Sequence, residues 1–288
     1  MLSLRLYDLS KHKNIMSDYS MPNQNKNKVE IQLWWITACL IAINVGLFAW
    51  QVIQGMDVTQ PSTLDAIRWG ADYAPITFLN EPIRLFTSMF FHFGLIHLML
   101  NMWALYIFGN IAEQVFGRVY FFGLYLLAGL MGSLLSGYIS IQDTYELIRI
   151  GEPVQSLYPS VGAGASGAVM GLGASLTVLS ILPVLKNQKF ILDKKTLLMV
   201  LGINLAMGFM ISGINNAAHI GGMIMGALLA LIWYIGQRLE RSTLFKMMGL
   251  ILGCLLCIIF FKYCQSLVVY ISPLWKEFAA QILNELVS

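Results

Sequence analysis

Hydrophobic positions in this chain come in long continuous runs. Nearly uncharged stretches occupy residues 33–52, 93–111, 119–141 and 161–185, each about 20 residues and so long enough to cross a hydrocarbon core. From residue 196 to 236 no Asp, Glu, Lys or Arg occurs. As one helix at about 1.5 Å per residue this run would measure roughly 60 Å, twice a bilayer core, which predicts two spans. Gly213, Asn215 and Asn216 mark the natural break, with a very short connection. A further apolar run covers 244–261. Lipid cannot hydrogen-bond a peptide group, so a span must be a helix or part of a closed barrel, and continuous runs lack the alternation of barrel strands. The predicted fold class is therefore an all-α polytopic membrane protein, with a six-helix core plus one carboxyl-terminal transmembrane helix.

Between the first two runs, residues 54–91 contain Pro61, Pro75 and Pro82 among aromatics and short apolar patches. This predicts an ordered, partly membrane-embedded loop rather than a span or a linker. No internal repeat and no hydrophilic stretch long enough for a soluble domain is present. The expected organisation is a polar amino-terminal tail over 1–30, a six-span domain over 31–240, and the seventh span with its tail over 241–288. Residues 266–288 mix apolar positions with Lys276, Glu277 and Glu285, which suits a short helix lying at the outer surface.

The composition agrees with a bilayer as solvent, since 57% of the residues are hydrophobic and 11% charged, far from the balance of a soluble domain. The net charge of +3 is a topology signal. Arg5, Lys11, Lys13, Lys26 and Lys28 precede the first span, Lys186, Lys189, Lys194 and Lys195 follow the fourth, and Arg238, Arg241 and Lys246 follow the sixth. The alternate loops carry Arg68 and Arg84 among Asp57, Asp65, Asp72 and Glu81, and Arg149 among Asp143, Glu146 and Glu152. Bases stay in the cytoplasm, so the amino terminus is expected inside and the carboxyl terminus outside. No basic stripe with interleaved aromatics suggests a nucleic-acid partner. Cys39, Cys254, Cys257 and Cys264 lie in or beside spans and read as small apolar fillers. The Cys254-x-x-Cys257 pair has no second pair or His cluster beside it, so no metal and no cofactor is predicted. The first 30 residues show no cleavable secretion signal.

Polar groups inside spans cost several kcal/mol unless paired, so they tend to line cavities. Here they fall in three places. In the first, His97 and Asn101 are four residues apart and share one helix face, whereas His92, five residues before His97, is expected about 140° around the axis and so pointing away from that face. In the second, Gly162-Ala163-Gly164-Ala165-Ser166-Gly167 leaves a serine hydroxyl uncovered among small residues. By itself this reads better as a helix contact whose serine bonds its own backbone. In the third, His219 precedes Gly222 and Gly226, a face for close helix docking. A lone intramembrane His is as readily a packing residue or a proton relay. Together the three supply a nucleophile, a base and oxyanion donors. Ser166 would attack, His219 would take its proton, and Asn101, His97 and the Ser166 N–H would hold the oxyanion. By the predicted topology all three lie toward the outer leaflet.

His92-x4-His97-x3-Asn101, Gly164-Ala165-Ser166-Gly167 and Ala218-His219-x-x-Gly222-x-x-x-Gly226, in this order on these spans, resemble the rhomboid protease family. The resemblance runs from Trp69-Gly70-Ala71 through Arg84-Leu85-Phe86-Thr87-Ser88 and Gly109-x3-Glu113-x3-Gly117 to Gly236. It implies an embedded loop after the first span, a Ser166–His219 dyad, and cleavage of single-pass membrane proteins near the outer surface, with the lipid bilayer as the other partner. His92, Gly164, Gly167, Gly222 and Gly226 would support the site. The short tail and the seventh span suit a bacterial cytoplasmic membrane. Two positions depart from the family pattern: Ile83 stands where a Trp often precedes the Arg, and Asn215 where an Asp often lies four residues before the His. The rival readings are a non-catalytic member that binds transmembrane helices and a transporter with His97, Asn101 and His219 along a polar pathway. A metal hydrolase is disfavoured by the lack of a His-Glu-x-x-His pattern and by the expected direction of His92. Oligomeric state has no signal in the sequence.

Overall fold

A computed structural model describes residues 34–185, 192–210 and 215–287. The tail 1–30, Lys186, Lys189 and the Gly213 part of the predicted break lie outside the described residues. The protein is an all-α, multi-pass membrane protein. Seven long helices are present among the described residues: α1 (Trp35–Ile53), α5 (Leu95–Phe116), α6 (Arg118–Ile150), α7 (Ser166–Ile181), α8 (Lys194–Met210), α9 (Asn216–Arg238) and α10 (Ser242–Val287). Of these, α1, α5, α6, α9 and α10 are long and apolar enough to cross a bilayer, and α7 is a shorter apolar helix. The break predicted within 196–236 falls between α8 and α9.

The connection from α1 to α5 is ordered, as its prolines suggested. It holds α2 (Thr63–Arg68), the short strand β1 (Asp72–Tyr73), α3 (Ala74–Leu79) and α4 (Arg84–Thr87). Ser62 and Asp65 close a reciprocal capping box on α2, satisfying two orphan N–H groups. The Arg84 guanidinium is buried and ties the loop together. Its Nη1 donates to the carbonyls of Ile67 at 2.7 Å and Ala71 at 3.0 Å, and its Nε to Glu81 at 2.8 Å. Glu113, 2% exposed, fastens α5 to the start of α1. Its carboxylate accepts from the N–H groups of Ile36 and Thr37 and from the Thr37 hydroxyl, as an anion suits a helix N-terminus.

Two predicted boundaries move. The fourth span was expected from residue 161, but α7 begins only at Ser166. Residues Val161–Gly162 form β2, which pairs antiparallel with β1, Asp72 opposite Gly162. At about 1.5 Å per residue α7 is roughly 24 Å long, shorter than the hydrocarbon core, so it cannot cross the core by itself and one of its ends lies at membrane depth. Irregular backbone at that depth is tolerable only where protein or a polar cavity surrounds it. The seventh span was expected to end at 261 and to be followed by a separate short helix. Instead α10 runs unbroken for 46 residues. Cys264, Val268, Ile271, Trp275 and Ala279 are buried, and their spacing of three and four makes one apolar stripe. The Trp275 indole donates to the Thr144 hydroxyl at 2.9 Å, and the Phe78 ring of α3 lies against both Trp275 and Phe261. Pro273 sits on the exposed side of this helix.

Candidate active site

Helices α7 and α9 pack on each other more extensively than any other pair, and both pack on α6. Glycines permit this. A Cβ on Gly222 would stand 1.9 Å from the Gly167 carbonyl oxygen, and one on Gly226 2.0 Å from that of Gly171. The two backbones are thus in contact, and the contact fixes their side chains. Gly167 also faces the Ala218 carbonyl, 3.2 Å from where its own Cβ would be. The residues in touch are the neighbours of Ser166 and His219, so the helix packing itself brings serine and histidine to the same place.

That place is a cavity of about 700 Å³, lined among others by Ser166, His219, His97, Asn101, Gly164 and Asp72. Ser166 is the first residue of α7, so its N–H belongs to the unbonded first turn of the helix. His219 is 5% exposed. Its Nδ1 is buried without a hydrogen-bond partner, which leaves Nε2 as the nitrogen available to the cavity. No carboxylate bonds the ring among the described residues, so its orientation is left to packing.

The segment before Ser166 is held from the other side. Gly164 N–H donates to the Ser88 carbonyl at 2.9 Å, and Ala165 N–H points at His92 Nε2 at 3.5 Å. Gly164 has φ +120°, and His97 Cε1 and Nε2 lie 2.9 and 3.0 Å from the position of a Cβ there. Any side chain would be strained and would displace His97. The His97 ring accepts from Phe93 N–H through Nδ1 at 3.2 Å. An acceptor nitrogen in a neutral imidazole carries no proton, so Nε2 bears the hydrogen and presents a donor toward Gly164. Asn101 spends one amide N–H on the His97 carbonyl at 2.9 Å, and its second N–H remains for a ligand.

His92 is corrected by the structure. It does not point away from His97: the two rings meet edge to face, 5.3 Å between centroids. Helix α5 starts at Leu95 after Gly94, whose φ is +90°, so the 100° per residue rule does not apply across that turn. The direction of His92 thus does not count against metal chemistry, while the chain still lacks a His-Glu-x-x-His pattern. Asn215 is the N-cap of α9, its side-chain oxygen accepting from Ala218 N–H at 3.0 Å. The amide caps the helix as a carboxylate would, so this departure from the family pattern leaves the start of α9 intact. Ile83, the other departure, is 62% exposed. The cavity also recruits Asp72, Ser88, Ser133 and Ser136, which sequence reasoning did not place there. Only their fold neighbours bring them in, and no spacing in the sequence announces them.

Residues 79–237, more than half of the chain, match the Rhomboid domain family. The chain is 28% identical to the Rhomboid protease AarA of Providencia stuartii over 76% of its own length and 80% of that protein's. It is 34% identical to RHOMBOID-like protein 1 of Arabidopsis thaliana over 69% of its length, and 35% identical to the Rhomboid protease GluP of Bacillus subtilis (strain 168) over 66%. It spans 47% and 33% of those two longer relatives.

Proposed function

The chain belongs to the rhomboid family, and on that premise we propose that it is an intramembrane serine endopeptidase working through a Ser166–His219 dyad. The observation that carries this reading is the glycine-mediated contact of α7 and α9, which puts Ser166 and His219 on one cavity with the His97 donor. Two relatives bear the name of rhomboid protease, which supports the same activity.

Ser166 Oγ attacks the scissile carbonyl and His219 Nε2 accepts its proton. The oxyanion that forms is held by Ser166 N–H, His97 Nε2–H and the spare Asn101 N–H, donors fixed before substrate arrives. His219 then protonates the leaving amine, the C–N bond breaks and an acyl-enzyme remains. A water, deprotonated by His219, attacks the ester and releases the acid, returning the proton to Ser166. His92, Gly164, Gly167, Gly222 and Gly226 act by position.

The substrates are single-pass transmembrane proteins, whose helix enters sideways and unwinds to offer an extended bond. Water reaches the buried start of α7 through the cavity. The loop-bearing end of the bundle faces outward, by the lysine and arginine distribution, in a bacterial cytoplasmic membrane. Residues 31–240 form the catalytic domain, and the helix beyond braces it.

The test is the purified protein in liposomes with a single-span substrate, comparing wild type, Ser166→Ala and His219→Ala by gel and mass spectrometry, with and without chelator. Cleavage that both variants lose and chelator spares is expected. Undiminished cutting by Ser166→Ala refutes the dyad, and an intact substrate throughout favours a non-catalytic helix-binding member.

A further inference from the structure

One buried ionisable group on the cavity wall has no part in the mechanism above. Asp72 is 4% exposed, and among the described residues it is the only acid lining the cavity, where His97 and His219 are the only bases. Its Oδ1 accepts one hydrogen bond, from the Thr77 hydroxyl of α3 at 2.6 Å. Arg84 of α4 is near enough to act on it electrostatically, yet its guanidinium is committed to two carbonyls and to Glu81. The phenol of the adjacent Tyr73 is pushed up by burial to about 12 and stays neutral. A carboxylate removed from water normally collects several donors or a cation. This one lines a cavity with most of its hydrogen-bonding capacity unused.

Asp72 also sits close to the chemistry in the chain's connectivity. It pairs through the β1–β2 ladder with Gly162, four residues before the nucleophile. The cavity wall near it carries the hydroxyl-bearing residues Ser88, Ser133 and Ser136, which can solvate a charged head group.

Resting on the protease reading, we propose that Asp72 forms a subsite of the catalytic cavity that takes a basic side chain, lysine or arginine, of the substrate segment being cut. The cation would supply the donors the buried carboxylate lacks, and the carboxylate would offset the cost of bringing that cation below the membrane surface. Burial holds the Asp72 carboxyl up at about 6, the Thr77 bond and Arg84 opposing the shift. The preference for a basic residue should therefore be full at pH 8 and fade toward pH 5 as the carboxyl is neutralised.

The test uses the full chain in liposomes and a single-span substrate in which each residue flanking the cut is changed in turn to Lys, Arg, Gln, Leu or Glu. Reading the ratio of kcat/KM between substrates cancels any effect of pH on His219. At one position Lys and Arg should exceed Gln and Leu by about tenfold, the scale of one well-placed charged hydrogen bond, with Glu below them. Asp72→Asn, which keeps an acceptor for Thr77, should bring the ratio to about one, and Asp72→Glu should retain part of it. Binding of the same substrates to the Ser166→Ala protein should show the same order, a readout that does not need cleavage. No basic preference at any position, a preference that survives Asp72→Asn, or a wild-type ratio unchanged between pH 8 and 5 would overturn the subsite. Loss of cleavage with the binding order intact would instead strike the protease reading alone.

Discussion

Replacing Gly222 by alanine adds one methyl group where the backbones of α7 and α9 touch. The new Cβ would lie 1.9 Å from the Gly167 carbonyl oxygen, 2.7 Å from its carbon and 3.2 Å from its Cα. All three are backbone atoms of a helix, so no rotamer change can relieve the clash. An ordinary contact begins near 3.4 Å, so α9 must retreat from α7 by roughly 1.5 Å at this level. Overpacking of this kind costs about 1–3 kcal/mol, which a seven-helix bundle can survive. Catalysis by the proposed dyad would be less tolerant, because the displaced helices carry Ser166 and His219, and a misplacement of about 1 Å costs on the order of a hundredfold in rate. The expected outcome is a folded Gly222→Ala protein with kcat lowered about a hundredfold and slowed labelling of Ser166 by a fluorophosphonate. Gly202→Ala is the control, since nothing lies within 4 Å of that position. A Gly222→Ala protein that cleaves at the wild-type rate would show that the glycine contact does not set the dyad geometry.

Three further outcomes follow from buried polar groups and the terminal helix. Asp72 has its carboxyl raised from 3.8 to about 6 by burial, so its proton stabilises the fold fully below pH 3.8, and that contribution is lost as pH rises through 6. Two units correspond to at most about 3 kcal/mol, so the Tm advantage of Asp72→Asn over wild type in detergent should widen from pH 4.5 to pH 8. A constant gap would mean the carboxyl titrates normally. Glu113→Ala removes the acceptor of three hydrogen bonds at the start of α1 and should destabilise by about 2–4 kcal/mol, read as a lower Tm, whereas Gln should recover part of it. Trp275→Phe keeps an aromatic ring but, at a fully buried position, removes the indole N–H donated to the Thr144 hydroxyl. A loss of about 1 kcal/mol is expected, and proteolysis should then reach the carboxyl-terminal half of α10 sooner.

Much of this protein is fixed by solvent chemistry acting on sequence. Uncharged runs of span length must be helical in lipid, and so the long helices, the break between α8 and α9, and the three polar positions at Ser166, His219 and His97 with Asn101 were all legible. The ends of elements were not. Residues 161–165 are as apolar as the helix they precede, and only the pairing of β2 with β1, together with the φ of Gly164, makes them a strand and a loop. The carboxyl-terminal stripe from Cys264 to Ala279 was written in the sequence at helical spacing, but Lys276, Glu277 and Pro273 masked it. Whether such a stripe lies on a membrane or on protein depends on a partner surface, here α3 and α6, that periodicity cannot name. His92 is the sharpest case, because Phe93 and Gly94, the latter at φ +90°, separate it from the helix, and it turns back onto His97. The sequence alone determines which polar groups must be sheltered from lipid. Which of them share one cavity is decided by helix-to-helix distances, which depend on where the glycines let backbones touch, and for Asp72 by the pairing of β1 with β2.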